Sequence, residues 1–507
     1  MLQPDGGDRS ANDSEVGKSV NTNNKGTILS KLDEIWSRDL LNRRGDADFL
    51  EKFIAGQVRT RLQEGARGSF AINIDADWGA GKTFFVERLA QQLHNSGHVV
   101  ARVNAWRDDY LDDPFVAVLA AIDEAIAPFV KKDSEIQSAW KGVKRGAVPV
   151  LGRVVSGVAK TVVRKYVGEE IDELLKSDPE IGGDADAPNL IGELVRSGTE
   201  KVTIEIESVI DQGTQKVIDQ FNEKRKAADD FQTRLTNAVA AIGSERPLPF
   251  YVIVDELDRC RPSYAVALLE RVKHLFGAPN IAFVFATNSD QLRHSIAGMY
   301  GAGFNGFKYL KRFFEITYQL SDPDISQFVA VNARTITDYH LRAPGDDVAR
   351  FLHLTFDAYK LKARDIKRVL TLVENAAIAW PHKQAIDLSI LLPLAISYYK
   401  DGDPSWRDAL ANIPDNLSID IDGDRRYGNR PYTLNVENIF SRFVDINSDK
   451  VAFKSFMDRE NNSMEDRYVL SIVNNDWDRV MNQGWRTVHD ELVALVAHAG
   501  SIKPPSE

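Results

Sequence analysis

The sequence predicts an α/β fold: a parallel sheet with flanking helices, interrupted by a helical insertion and followed by a mainly helical carboxyl-terminal region. Three observations predict it. Phe70-Ala71-Ile72-Asn73-Ile74 alternates as a strand does, and after a glycine-rich loop Val86, Leu89, Ala90 and Leu93 recur at helical spacing. Pro249 to Val254 and Asn280 to Ala286 are short runs rich in β-branched and aromatic residues, the composition of strands buried on both faces. From Ile325 onward the pattern is mostly helical.

Composition bounds the function. A chain of 507 residues has length for about two to four domains. Its single cysteine, Cys260, excludes an intramolecular disulfide framework and a multi-cysteine metal site, which suits a reducing cytoplasm. The net charge of −11, from 63 basic and 74 acidic residues, repels a nucleic acid backbone, so any such contact has to be local. Residues 1–27 are polar and are expected to be a disordered tail, with no signal peptide visible.

Residues 28–128 hold the first part of the sheet domain. Within Ile28 to Leu62, Leu32, Ile35, Trp36, Phe49, Leu50, Phe53, Ile54 and Val58 recur on helical faces, as either one wall of a base pocket or a plain core helix. The loop that follows, Asn73 to Thr83, reads as a phosphate cradle. A triphosphate needs bare backbone N–H groups and a helix N-terminus facing its charge. Gly79 and Gly81 allow close approach, Lys82 reaches the β- and γ-phosphates, and the Thr83 hydroxyl suits Mg²⁺. The usual spacing asks for glycine where this chain has Ala76, which requires a negative φ there.

His98 to Val103 reads as the next strand and delivers Asn104-Ala105-Trp106-Arg107 to its carboxyl end, where Asn104 and Arg107 are either polar groups supporting the ligand site or plain structural residues. Residues 129–240 read as a helical insertion, a hairpin or arm with a stripe of Val202, Ile206, Val209, Ile210, Val217 and Phe221. Its most apolar part, Gly146 to Val163, is interrupted by Arg153 and Lys160 and falls short of the ~20 residues that span a bilayer. The choice there is between a surface-lying amphipathic helix and a helix packed on protein, and the composition favours packing.

The domain resumes over residues 241–324. At the end of the strand before Leu257, Asp255 is expected to hold Mg²⁺ and Glu256 to polarise the attacking water, the two acids pointing to opposite faces as strand neighbours do. Asn288, or Thr287 beside it, ends the next strand where it can bond the γ-phosphate or the water, or else cap the strand exit. Arg312, before another strand-like run, is a candidate arginine finger in cis or in trans, or a surface cation. In the helical lid, residues 325–400, Arg364 and Arg368 share a face that can lean on the nucleotide or simply be solvated, and Ile386 to Tyr399 reads as a core helix. Residues 401–507 read as a mainly helical domain. Neither Asp420 to Asp424 nor Asp445 to Asp449 qualifies as a calcium loop, the latter having Lys450 and Phe456 where glycine and an acid belong.

In order, Asp-Trp-Gly-Ala-Gly-Lys-Thr at 77–83, Asn-Ala-Trp-Arg at 104–107 and Asp-Glu-Leu-Asp-Arg-Cys-Arg-Pro at 255–262 resemble the KAP family of P-loop NTPases. Tyr309-Leu310 and Ala363 to Arg368 are similar to the family's later motifs, so the resemblance covers residues 39–375. It implies an additional-strand P-loop ATPase with a helical lid, strengthens the placing of Arg364 or Arg368 near the nucleotide, and, through bacterial members, implies a phage-exclusion or other defence setting. Many members carry membrane spans in the place of this insertion; the basic residues here imply a form without them. Ala76 and Glu256 depart from the family pattern, the latter replacing a second Asp.

The expected nucleotide-binding set is therefore Trp78, Gly79, Ala80, Gly81, Lys82, Thr83, Phe84 and Arg364, with Thr83 and Asp255 on Mg²⁺ and Glu256, Lys82, Asn288 and Arg312 in catalysis. The expected activity is Mg²⁺-dependent ATP hydrolysis that drives a conformational switch or assembly, in a homo-oligomer or with a protein effector. A scaffold that binds ATP with little hydrolysis and a nucleic-acid-stimulated ATPase are the alternatives.

Overall fold

The computed structural model describes residues 31–66, 68–111, 113–151, 201–301, 303–336, 339–402, 404–422, 430–459, 463–484 and 486–500, with backbone alone for 151 and 201–221. The expected tail at 1–27 and the apolar stretch beyond residue 151 lie outside the described residues. The described residues fall into two compact units, those within Met1–Arg38, Arg43–Asp77 and Lys82–Ser321, and those within Asp39–Asn42, Trp78–Gly81 and Asp322–Glu507.

The first unit is built on five parallel strands: β1 (Phe70–Asp75), β2 (Val100–Asn104), β3 (Phe250–Asp255), β4 (Ile281–Thr287) and β5 (Ile316–Gln319). Their spatial order is β2-β3-β4-β1-β5, so β4 is the additional strand between the loop-bearing β1 and the acid-bearing β3. Ala71 pairs with Phe283 on one side of β4 and Val252 pairs with Phe283 on the other. The three central strands are buried almost throughout, as β-branched runs covered on both faces must be, while β2 and β5 at the edges alternate. Helix α1 (Arg44–Gln63) buries Ala47, Leu50, Ile54 and Val58. Its neighbour α2 (Lys82–Asn95) carries a buried Gln92 that accepts from Trp36 Nε1 at 2.8 Å and donates to Asp48 and Glu51 at 2.9 and 2.8 Å, so no polar atom of its amide is stranded.

Between β2 and β3 run the short α3 (Ala105–Asp108), α4 (Pro114–Val130), α5 (Ser134–Leu151) and α6 (Lys201–Gly243). The described ends of the expected insertion belong to the sheet's own core rather than to a separate body. Trp140 and Val143 of α5 and Phe231, Leu235 and Val239 of α6 share a hydrophobic cluster with Val252 and Phe283. Phe231 is the keystone, its ring 5.1 Å from Phe115 and 5.7 Å from Phe276. Gly146 lets α5 approach the Arg234 stem, where a Cβ would come within 2.9 Å. No helix of the described residues is long and apolar enough to cross a membrane.

After β3, α7 (Pro262–Leu275), α8 (Ser289–Tyr300) and α9 (Gly306–Leu310) complete the flanks. The strand-like run expected directly after Arg312 begins only at Ile316, because Tyr309 and Leu310 are helical and the chain must first bring the Glu315 N–H to the Ala71 carbonyl, 2.9 Å away.

The second unit is mainly helical. It includes α10 (Ser326–Ala333), α11 (Val348–Ala358), α12 (Ala363–Ala379), α13 (Leu388–Asp401), α14 (Trp406–Ala411), α15 (Val436–Ile446), α16 (Lys450–Met457), α17 (Met464–Val473), α18 (Trp477–Met481) and α19 (Leu492–Gly500). The segments expected as a lid and a separate carboxyl-terminal domain share one core, in which Leu391 and Ile396 pack with Phe440, Phe443 and Val469. The helix expected over Ile386 to Tyr399 loses its first two residues to a strand, since fully buried Asp387 caps α13 through Ser389 N at 3.0 Å. The same carboxylate accepts from Arg342 at 2.6 Å and Tyr468 at 2.8 Å, which satisfies a charge that burial alone forbids.

Candidate functional site

Four strands deliver their carboxyl ends to one edge of the first unit, and each end carries a motif found in the sequence. β1 runs on past Asp75, since Ala76 N–H still donates to the Thr287 carbonyl at 3.3 Å. Ala76 is buried and is not among the described residues with positive φ, which is why a side chain is tolerated where glycine is usual. Gly79 and Gly81 do have positive φ, 85° and 87°. α2 then opens with Lys82, whose ammonium folds back to donate to the Ala76 and Asp77 carbonyls, the latter at 3.2 Å. Burial lowers its pKa, opposed by the charges of Asp258, Asp75, Asp255 and Asp77. A cation at a helix N-terminus, bonded only to loop carbonyls that an anion can replace, is a phosphate-binding arrangement. Phe84 is half-buried beneath the Arg88 guanidinium, 4.9 Å from its ring.

Trp78 to Gly81 belong to the second unit. There a Cβ on Gly79 would stand 3.1 Å from Arg364 Cβ and 3.4 Å from Lys362 Cβ, and one on Gly81 2.9 Å from Leu41 Cδ1. Ala80 is buried and Trp78 nearly half exposed. Arg364 lies in the first turn of α12, which Asp365 anchors by accepting from Lys362 N at 3.2 Å and from Tyr399 OH at 2.6 Å.

Asp255 closes β3, and one of its oxygens accepts from Glu256 N–H at 2.8 Å. Burial raises its pKa; the nearby Thr83 hydroxyl and the Glu256 N–H lower it, and the neighbouring charges of Glu256 and Asp258 raise it again. Glu256 is not a strand residue. Its φ of 62° and ψ of 26° are left-handed, so the two acids are separated by a turn rather than by strand alternation. The turn aims the Glu256 carboxylate at β2, where Asn104, in register with Asp255, donates its amide Nδ2 to Oε2 at 3.2 Å. The other carboxylate oxygen, Oε1, lies 2.9 Å from Arg259 Nη1. Asn104 also caps α3 through Arg107 N–H at 2.9 Å.

The expected polar pair of Asn104 and Arg107 is therefore split. Asn104 joins the acids, whereas Arg107 is exposed and pairs with Asp108 at 3.0 Å. Thr287 is removed from the candidates: fully buried, its hydroxyl donates to Asn73 Oδ1 at 2.9 Å. Asn288 sits at the edge with its amide oxygen capping α8 through Gln291 N–H at 3.1 Å. Arg312 is not brought to this edge. It borders a cleft of about 250 Å³ with Ser69 and Glu315, at the amino ends of β1 and β5. A six-residue strand is ~20 Å long, so a cis finger from Arg312 within this unit is ruled out by the length of β1.

Sequence reasoning missed Arg259 and Asp109. Arg259 stacks its guanidinium 5.5 Å from the Trp106 ring, and Asp109 accepts from Arg261 N and Nε at 2.9 and 3.0 Å. The segments 104–109 and 256–261 are thus joined side chain to side chain. The signal was present as charged residues trailing two strands, but only the pairing of β2 with β3 makes them partners.

Comparison with family models matches residues 51–377 to the KAP family P-loop domain. Comparison with curated proteins gives no match. Among solved structures, the Aeropyrum pernix ORC2 protein aligns in its ADPNP–ADP complexes at 13% identity over 90% of this chain and 93% of that one, with a TM-score of 0.31. Its ADP form aligns at 13% identity over the same shares, with a TM-score of 0.30. At these TM-scores the superpositions carry no weight.

Proposed function

We propose, from the premise that this chain belongs to the KAP family of P-loop NTPases, that it binds ATP with Mg²⁺ and hydrolyses it to drive a conformational switch or an assembly step. The observation that carries this reading is Lys82 at the start of α2, folded back on the Ala76 and Asp77 carbonyls, with Thr83 next to it near enough to Asp255 to lower that carboxyl's pKa. A hydroxyl and a carboxylate at neighbouring positions are the hard oxygen donors a divalent ion takes. No group of three or more His, Cys, Asp or Glu that could hold a metal occurs among the described residues, so phosphate oxygens and water would complete the shell. A bound Mg²⁺ supplies charge neutralisation on the phosphates.

In this reading Trp78 to Phe84 wrap the phosphates, Lys82 exchanges its loop carbonyls for β- and γ-phosphate oxygens, and Glu256 takes the proton of the attacking water. Asn288 orients that water through the amide nitrogen its capping oxygen leaves over. Arg364 is assigned to the set through its place against Gly79 in the second unit. Arg312, exposed and away from its own carboxyl edge, is left to a neighbouring copy in a homo-oligomer.

Phosphate release and nucleotide binding by wild type, Lys82→Ala and Glu256→Gln test the assignment. Lys82→Ala should lose binding. Glu256→Gln should bind ATP and turn it over ~100-fold more slowly or worse, the usual loss for a general base. Hydrolysis that survives both changes overturns the site; binding without phosphate release in wild type favours an ATP-binding scaffold.

A further inference from the structure

The Glu256 carboxylate is tethered at both of its oxygens. A general base must point a carboxylate lone pair at the water it deprotonates, so whatever fixes the direction of the carboxylate governs its action. Both of its carboxylate oxygens are engaged, Oε1 with Arg259 Nη1 at 2.9 Å and Oε2 with Asn104 Nδ2 at 3.2 Å. The pairing is built into the backbone. The left-handed turn at Glu256 starts the 3₁₀ turn Leu257–Arg259, with Arg259 N–H donating to the Glu256 carbonyl at 3.2 Å, so residues three apart face each other.

The Arg259 guanidinium lies over the Trp106 ring, 5.5 Å from its centroid. A planar guanidinium lies flat over a ring while its edge N–H groups pair with a carboxylate, which holds both contacts in a more fixed geometry than a flexible ammonium does. Trp106 is 55% exposed, unusual for an indole, whereas the Glu256 side chain is only 13% exposed. The pair is therefore sheltered at the carboxylate and open at the brace. Asn104, which holds the other oxygen, also caps the short helix that carries Trp106. One segment thus grips both ends of the Glu256–Arg259 pair.

We infer that Arg259 is a positioning residue that, braced by Trp106, keeps the Glu256 carboxylate off the attacking water, so that its release limits the basal rate of hydrolysis. This rests on the reading of Glu256 as the base. It goes beyond that reading in assigning Arg259 and Trp106 a restraining role, whose removal accelerates the reaction.

The test is phosphate release by the full chain at saturating MgATP, with nucleotide affinity measured in parallel. Arg259→Gln should raise kcat roughly 3- to 10-fold and leave the nucleotide dissociation constant within about twofold, a split that general loosening of the fold does not produce. Trp106→Ala, which removes only the brace, should give a smaller rise, and Arg259→Lys should fall between wild type and Arg259→Gln. In the Glu256→Gln background Arg259→Gln should have no effect, because the restrained base is gone. An unchanged or reduced kcat in both Arg259→Gln and Trp106→Ala, with affinity intact, overturns the restraint. Should Arg259→Gln not fold, an unchanged rate in Trp106→Ala overturns it alone. If Glu256→Gln hydrolyses as fast as wild type, the base assignment fails first and the restraint falls with it.

Discussion

The amide of Asn104 donates to the Glu256 carboxylate at 3.2 Å across the β2–β3 pairing. The two residues are 152 positions apart in sequence. The same Asn104 accepts from Arg107 N–H, so one side chain starts a helix with its oxygen and holds an acid with its nitrogen. Neither task is visible from Asn104 alone, and each makes a different substitution informative.

Asn104→Ala removes both functions and should cost about 1–2 kcal/mol of stability, the usual loss of a cap. Asn104→Asp keeps the cap oxygen and the helix-favoured charge, yet sets a second carboxylate against Glu256. It should therefore melt closer to wild type than Asn104→Ala while binding ATP more weakly. Thermal melts with nucleotide titration separate the two; identical melting of both variants would remove the capping role.

The loop distinguishes positions by backbone conformation. Ala76→Gly should gain nothing for nucleotide affinity and should lose ~0.5–1 kcal/mol of stability, because a residue with ordinary φ gives up only unfolded-state restriction. Gly79→Ala should cost at least ~1–2 kcal/mol, since φ is 85° and the new methyl meets Arg364 Cβ at 3.1 Å. Measured melting points and ATP affinities that ranked these two variants the other way would contradict the loop geometry.

In the second unit, His489 is almost fully buried, with Nε2 at 3.2 Å from the Ala385 carbonyl and Nδ1 without a partner. Burial lowers its pKa to about 4 from 6.5. The unfolded chain then binds the proton more readily than the folded one between these values. Stability contributed by the neutral ring is complete above pH 6.5, is lost as the pH falls toward 4, and amounts to ~3 kcal/mol at most. His489→Gln should melt at lower temperature at neutral pH and show a shallower decline from pH 6.5 to 4. An equally steep decline in both proteins would assign the acid sensitivity elsewhere.

Much of the site was legible because its chemistry demands contiguous residues. Gly79 to Thr83 must be adjacent to wrap a phosphate and begin a helix, and Asp255 must end a buried strand; both conditions are local and leave a pattern. The negative φ required at Ala76 was likewise deducible from the residue type. The run at 70–75 declared itself as a strand by alternation, and those at 250–255 and 281–287 by apolar runs rich in β-branched and aromatic residues.

Tertiary structure decided what depends on which strands are neighbours. Only the order β2-β3-β4-β1-β5 sets Asn104 beside Asp255 and leaves β4 between β1 and β3. Only the direction and length of β1 separate Arg312 from the acids, although its sequence position after β4 gave no hint of the opposite edge. The left-handed turn at Glu256 replaced strand alternation because the β3 ladder stops at Asp255, freeing the next residue to turn toward Asn104 and Arg259. Likewise the ends of the expected insertion join the sheet's core through Phe115, Phe231 and Phe276, three aromatic residues whose meeting no local periodicity encodes. The sequence by itself determined the chemical groups and the elements that bear them; the parallel pairing of distant strands determined which of those groups touch.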